Sequence, residues 1–237
     1  MGNQISKTAL ITGASRGLGL ALARALARDG WRLVIDARFP EVLEFVQDEL
    51  AQLTEVIAIP GDVADEKHRL ELAQAAYNLD GLDAVVNNAG MLGPSPQPDL
   101  FDYPLDVLEQ VYRINVIAQL GVLQAVQDQL KPSARILNIT SDAGVNAYQG
   151  WGGYGSSKAA LEQLSAILAA ENPELKVYWV DPGDMRTQMH QDAFPGEDIS
   201  DRPLPSESVP GLISLLEGDL PSGRYIAKEV PILERQV

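Results

Sequence analysis

The chain has 237 residues, 46% hydrophobic and 22% charged, with a formal net charge of −15 and no cysteine. Such a composition is ordinary for a globular protein; the missing cysteines exclude disulfides and thiol chemistry. The negative charge opposes nucleic acid, anionic membranes and acidic protein partners such as acyl carriers. TALIT (8–12) is the first predicted strand, followed by a helix in which Leu18, Leu22 and Leu26 recur every four residues and Gly30 acts as the stop. RLVID (32–36), the helix EVLEFVQDEL (41–50) and the strand EVIAIP (55–60) come next. A helix near Asp65–Leu79 precedes the strand LDAVVN (82–87), and a long helix from about Leu105 to Leu130 precedes RILNIT (135–140). A helical pattern through Ala159, Leu161, Leu164 and Leu168 stops at Asn172-Pro173, before the strand KVYWVD (176–181). A helix near Ser206–Glu217 and the short strand RYIA (224–227) complete the series.

Strands alternating with helices of ten or more residues predict βαβ units, hence an α/β fold with a Rossmann-like, doubly wound parallel sheet of about seven strands, helices covering both faces. The near-continuous apolar strands suit burial on both sides. No linker-like composition shift divides residues 1–237, so one domain is expected. No apolar run approaches the length of a membrane span and no charged-then-apolar leader opens the chain, so a cytoplasmic location is expected. MGNQIS fits the N-myristoylation pattern at Gly2, but a strand predicted from Lys7 and the lack of a polybasic patch argue against an anchor. His68 and His190, the two histidines, have no second ligand at metal-site spacing, so no catalytic metal is expected.

Ligands of such sheets bind beyond the carboxyl ends of the strands, and the informative residues lie there. After the first strand, Gly13, Gly17 and Gly19 form G-x-x-x-G-x-G in TGASRGLG. Glycines in this place let backbone N–H groups approach a pyrophosphate at a helix N-terminus, although a tight turn with no ligand would use the same residues. Gly13 to Gly17 also reads as G-x-S-x-G, a hydrolase elbow with Ser15 as nucleophile and Asp181 and His190 following in hydrolase order. Against that, an elbow on the first strand leaves no earlier strand-to-helix loop to supply the second oxyanion donor. Further on, Tyr154 and Lys158 stand four apart in YGSSK, on one face of a helix with Cβ atoms roughly 5–6 Å apart.

Taken in order, the glycine loop, Asp62-Val63, Asn87-Asn88-Ala89-Gly90, Asn115, Ser141, the Tyr154/Lys158 pair and Asp181-Pro182-Gly183-Asp184-Met185-Arg186-Thr187 each follow a strand or sit on the expected helix. This ordered set resembles the short-chain dehydrogenase/reductase family in its compact single-domain form, from about Thr8 to Thr187 and more weakly to Ala227. The resemblance implies a nicotinamide-dependent oxidoreductase interconverting an alcohol and a carbonyl. It gives Tyr154 the part of general acid/base, with Lys158 lowering the phenol's pKa and also holding the nicotinamide ribose. Ser141, 13 residues before Tyr154, would hold the substrate oxygen, and Asn115 would anchor the water of a proton relay. Gly13, Ser15, Arg16, Gly17, Leu18, Gly19, Arg38, Asp62, Val63, Asn88, Ala89, Gly90, Pro182, Gly183, Met185 and Thr187 would contact the dinucleotide, together with Tyr154 and Lys158. A non-catalytic dinucleotide-binding regulator on the same fold is the alternative, opposed by the complete Ser141–Tyr154–Lys158 set.

The resemblance also bears on the choice of cofactor. Asp36 lies near where a carboxylate would hold the ribose 2′-hydroxyl of NAD(H), but the family's discriminating position aligns with Ala37, one residue on and on the other face of the strand. Arg38 and Arg16 match the cations that clamp the 2′-phosphate, so NADP(H) is expected to be preferred, with NAD(H) possible. Thr140 stands where the family commonly has serine, and Asp181 and Asp184 bring acidity to the nicotinamide end, partly offset by Arg186. The expected pocket walls are Met91–Pro98, Asp142–Trp151 and the segment after Thr187. Within that segment, residues 188–205 are acidic, rich in proline and without a clear period, and are expected to be a substrate lid. The helices near 105–130 and after Tyr154 are apolar on more than one side, which together with the resemblance predicts a homodimer or homotetramer.

Overall fold

The computed structural model describes residues 6–233; the myristoylation pattern at Gly2 lies outside the described residues. The strands are β1 (Thr8–Ile11), β2 (Arg32–Ala37), β3 (Val56–Pro60), β4 (Leu82–Asn87), β5 (Leu130–Ile139), β6 (Lys176–Asp181) and β7 (Gly223–Ile226). They form one sheet in the order β3-β2-β1-β4-β5-β6-β7, with every neighbouring pair parallel. The helices are α1 (Gly17–Arg28), α2 (Pro40–Leu50), α3 (Glu66–Asn78), α4 (Leu105–Tyr112), α5 (Ala118–Val126), α6 (Gly152–Glu171), α7 (Gln188–Ala193) and α8 (Val209–Glu217).

The twofold period of a strand decides which helices each residue meets. Ala9 and Ile11 of β1 and Leu33, Ile35 and Ala37 of β2 pack with α1, α2 and α8 on one face. Leu10, Val34 and Val85 point the other way, into a core shared with α3 and α5. Leu22 and Leu26, spaced one helical turn apart, are fully buried against the first face. Burying each leucine side chain contributes about 1.5–3 kcal/mol relative to exposure. The strand order reverses between β1 and β4, which opens a crevice at the carboxyl ends of those strands.

Two expectations change. The helix expected from about Leu105 to Leu130 is interrupted by a π turn at Arg113–Ile117 and ends at Val126. β5 begins at Leu130 rather than near Arg135: Leu130 pairs with Leu82, the register then shifts, and Ala84 pairs with Arg135. Ser133, with φ of 62°, takes up the irregularity. Hydrophobic periodicity runs through both features unbroken, because neither an inserted turn nor a bulge alters which residues are apolar.

Candidate active site

The loop after β1 is stapled to the exit of β4. The Thr12 hydroxyl accepts from the N–H groups of Asn88 and Ala89, both at 3.0 Å, and Asn88 Nδ2 donates back to the carbonyls of Thr12 (2.9 Å) and Gly13 (3.1 Å). Gly13 has φ of +66°, and a Cβ there would stand 3.0 Å from Ala89 Cα, so only glycine serves both turn and contact. Gly19 is a packing glycine: its Cβ would lie 2.5 Å from the Gly13 carbonyl oxygen. Arg16, the residue before α1, makes no side-chain bond to the helix N-terminus, so no cap satisfies the first-turn N–H groups.

A cavity of about 710 Å³ runs from this loop across the carboxyl ends of the strands, a size typical of ligand pockets. Every residue expected to contact a dinucleotide lines it except Gly19. At Gly90 a Cβ would come no nearer than 3.5 Å to Asn115 Oδ1, 3.8 Å to Lys158 Nζ and 3.9 Å to the Asn88 carbonyl, and at Gly17 it would meet only the Thr187 methyl at 3.6 Å. Bare backbone on both walls, uncapped N–H groups and the exposed Arg16 and Arg38 at one end fit an extended, phosphate-bearing dinucleotide.

The other end holds Ser141, Tyr154 and Lys158. Glycines at the start of α6 let it seat deeply: a Cβ at Gly153 would stand 2.2 Å from the Tyr103 hydroxyl, and one at Gly155 2.6 Å from the Ala143 carbonyl. Tyr154 is 9% exposed, with Trp151 edge-on at 5.8 Å, and Lys158 Nζ lies 5.5 Å from its ring centre. Lys158 Nζ donates to the Ile139 carbonyl at 2.8 Å. Ser141 Oγ donates to Asp142 Oδ1 (3.0 Å) and accepts from the Ala143 N–H (3.2 Å), and Asp142 Oδ2 accepts from the Tyr148 hydroxyl at 2.8 Å.

Electrostatics here depart from the sequence expectation. Burial lowers the Lys158 ammonium to about 8. Burial also pushes the Tyr154 phenol above its ordinary value, and the Asp181 and Asp142 charges add to that shift, so the expected lowering by Lys158 is reversed. Desolvation of the phenolate is the largest cause of that rise.

Several candidates face elsewhere. Asn115 is fully buried: its Oδ1 accepts from Met91 N–H (2.8 Å), and its Nδ2 donates to the Met91 carbonyl (2.8 Å) and Ser157 Oγ (3.0 Å). Its side chain thus fixes the stretch after β4 and does not line the cavity. Arg186 makes no ion pair with Asp181 or Asp184 among the described residues; its guanidinium donates to the carbonyls of Arg202 and Ser200. Ser15, Asp181 and His190 all line the cavity, but His190 faces Asp184 at 3.9 Å and Arg202 at 3.3 Å, while Asp181 accepts from Gly183 N–H. Both residues that a Ser15 hydrolase would need are thus engaged with other groups. Of the expected wall 91–98, only Met91 and Leu92 reach the cavity.

Residues 7–198 match the short chain dehydrogenase family. The chain belongs to that family. It is 37% identical over 194 residues to the rhamnolipids biosynthesis 3-oxoacyl-acyl-carrier-protein reductase of Pseudomonas aeruginosa, covering 77% of this chain and 74% of the relative. An alcohol dehydrogenase of the archaeon Thermococcus sibiricus, solved with 5-hydroxy-NADP, superposes with a TM-score of 0.84 at 32% identity, over 93% of this chain and 95% of that one. A short chain dehydrogenase of Escherichia coli CFT073, solved with NADPH, gives a TM-score of 0.83 at 29% identity, over 94% and 96%. This short chain dehydrogenase is accordingly an oxidoreductase acting on CH–OH donors or the matching carbonyls. Among the described residues, no helix is long and apolar enough to cross a membrane.

Two supports of the site escape sequence reading. Arg224, on β7, lies 3.0 Å from Glu162 Oε1, donates to the Ser141 carbonyl at 3.4 Å and stands 3.7 Å from Asp181. Thr140, in the family's usual serine position, donates to the same Glu162 oxygen at 2.8 Å. His68 meets Asp36 at 3.0 Å although 32 residues separate them. Neither partnership has a local spacing that could disclose it.

Proposed function

We propose that this short chain dehydrogenase is an NADP(H)-dependent enzyme that interconverts an alcohol and a carbonyl, with Tyr154 as general acid/base. The observation that carries the reading is one cavity with two specialised ends: Tyr154, Lys158 and Ser141 at one, Arg16 and Arg38 at the other. Asp36 supports NADP(H) further, because its carboxylate is turned to Gly13 and His68, and Ala37 occupies the next position. The relatives solved with NADPH and 5-hydroxy-NADP agree with that choice.

Arg38 and Arg16 would hold the 2′-phosphate, the uncapped α1 N-terminus the pyrophosphate, and Lys158 the nicotinamide ribose. The hydride for the carbonyl carbon would come from a reduced dinucleotide held by these residues. Tyr154 gives its phenolic proton to the carbonyl oxygen, and in the reverse direction takes the hydroxyl proton back. Ser141 Oγ holds that oxygen in place. The raised phenol keeps Tyr154 protonated at neutral pH, which suits reduction. Asn115 acts by holding Met91, so any relay water it serves would be placed through this contact. A non-catalytic regulator would have no use for an acid/base tyrosine beside a buried lysine. The chain works as one domain, in the cytoplasm, on a small molecule.

A panel of carbonyls and alcohols with NADPH, NADH and their oxidised forms, run beside a panel of esters, tests the reaction class. NADPH is expected to bind at least about tenfold tighter than NADH, a difference of about 1.4 kcal/mol, and Arg38→Ala should erase most of it. A wild-type preference for NADH would overturn the cofactor assignment; ester cleavage without dinucleotide turnover would overturn the reaction.

A further inference from the structure

Asp36 takes no part in the chemistry above, yet it is 1% exposed and bonded to two other segments. Its Oδ1 accepts from the Gly13 N–H at 2.6 Å, and its main-chain carbonyl accepts from the Ala14 N–H at 2.9 Å. Oδ2 lies 3.0 Å from His68 Nε2. The Gly13 N–H can only donate, which makes Oδ1 an acceptor, and a single proton joins Oδ2 to Nε2. Burial pushes the Asp36 carboxyl upward, and His68 and the Gly13 N–H pull it back toward ionisation. His68, 4% exposed on α3, fits because residue 61 is glycine: a Cβ there would stand 2.2 Å from Nδ1. Gly61 N–H donates to the Ala37 carbonyl at 3.0 Å, and the next residue, Asp62, lines the cavity. One carboxylate and one imidazole thus join the glycine loop to the exit of β3, the two walls of the groove's Arg38 end.

We propose that Asp36 and His68 form a positioning pair that sets dinucleotide affinity by holding the first two N–H groups of the glycine loop in place. The inference rests on the dinucleotide reading above. A glycine-rich loop is mobile unless something orders it, and a loop held in its binding shape before the ligand arrives lowers the cost of binding. Asp36 orders Gly13 and Ala14 with side chain and main chain together, and His68 orders Asp36. Both dinucleotides would share the loop, so the pair acts on affinity and not on the choice between them.

Titrating NADPH and NADH into the full chain, with amide exchange of residues 12–19 measured in the protein alone, tests this. His68→Leu should weaken both dinucleotides by about tenfold, the scale of one lost hydrogen bond to a charged group. Their affinity ratio should stay the same, and exchange at Gly13 and Ala14 should quicken. His68→Gln, whose side-chain N–H can reach the same oxygen, should recover most of the affinity. Gly61→Ala, which drives the imidazole from its place, gives a second route should His68→Leu fold poorly. Wild-type affinity in both His68→Leu and Gly61→Ala, or a His68→Gln as weak as His68→Leu, would overturn the pair. A wild-type protein that binds neither dinucleotide would instead overturn the proposed function.

Discussion

At the scale of single residues, Tyr154 and Lys158 are both costly to bury, and each cost has a measurable sign. Replacing Tyr154 with Phe is expected to lower turnover by about 10² or more while largely keeping cofactor binding; near-normal turnover on a confirmed substrate would remove Tyr154 from its role. For Lys158, burial lowers the ammonium from 10.5 to about 8, so the unfolded chain binds the proton more tightly than the folded one. The lysine therefore destabilises the fold below about pH 8, and the penalty fades as pH rises toward 10.5. The gap corresponds to about 3 kcal/mol, as an order of magnitude. Lys158→Met should accordingly be more stable than wild type at pH 7, with the advantage shrinking between pH 8 and 10.5, and should bind NADPH poorly. Chemical denaturation across that range checks it; a Met variant less stable at pH 7 would show that the lost bond to Ile139 outweighs desolvation.

Elements differ in how firmly they are held. Residues 188–205 carry α7, in which no residue is buried, and the segment is tied down mainly by polar contacts. Arg186 binds the carbonyls of Ser200 and Arg202, its N–H meets the Pro203 carbonyl at 2.8 Å, and Ser95 Oγ donates to the Asp192 carbonyl at 2.7 Å. Phe194 rests on Trp151, with ring centres 5.9 Å apart. Few buried apolar contacts mean a low free energy of local opening. Hydrogen exchange should therefore be fast in 188–205 and slow when dinucleotide and substrate bind together; full protection in the protein alone would contradict a lid.

For the whole molecule, the question is what covers the outer faces of α4, α5 and α6. Val111, Val116 and Leu123 turn inward, whereas Ile117 is 64% exposed and Leu105 72%. Leu120 and Ile167 are exposed beside them. This outward stripe supports a homodimer or homotetramer, to which a standard interface would bring about 800 Å² per subunit. Light scattering at micromolar concentration should give twice or four times the 25.6 kDa chain mass. With −15 per chain, screening by added salt should hold the assembly together or tighten it. A monomer mass at every salt concentration would refute it.

Local patterning in the chain sufficed to predict the alternation of strands and helices, the cavity at the carboxyl ends of the strands and the meeting there of Ser141, Tyr154 and Lys158. Those features are local: apolar period, glycine position and the i, i+4 step are all written within a few residues of one another. Asp36 marks where local reading stops. Its strand register already set it aside as a ligand of the ribose, but what it holds instead, the Gly13 N–H with His68 arriving from α3, appears only in the fold. Likewise, the resemblance implied a phenol lowered by Lys158, whereas burial among packed neighbours pushes it up. Arg224 joined the site from β7 through the strand order. Charge balance and burial depend on everything that folds around a group, and no spacing along the chain carries that sum.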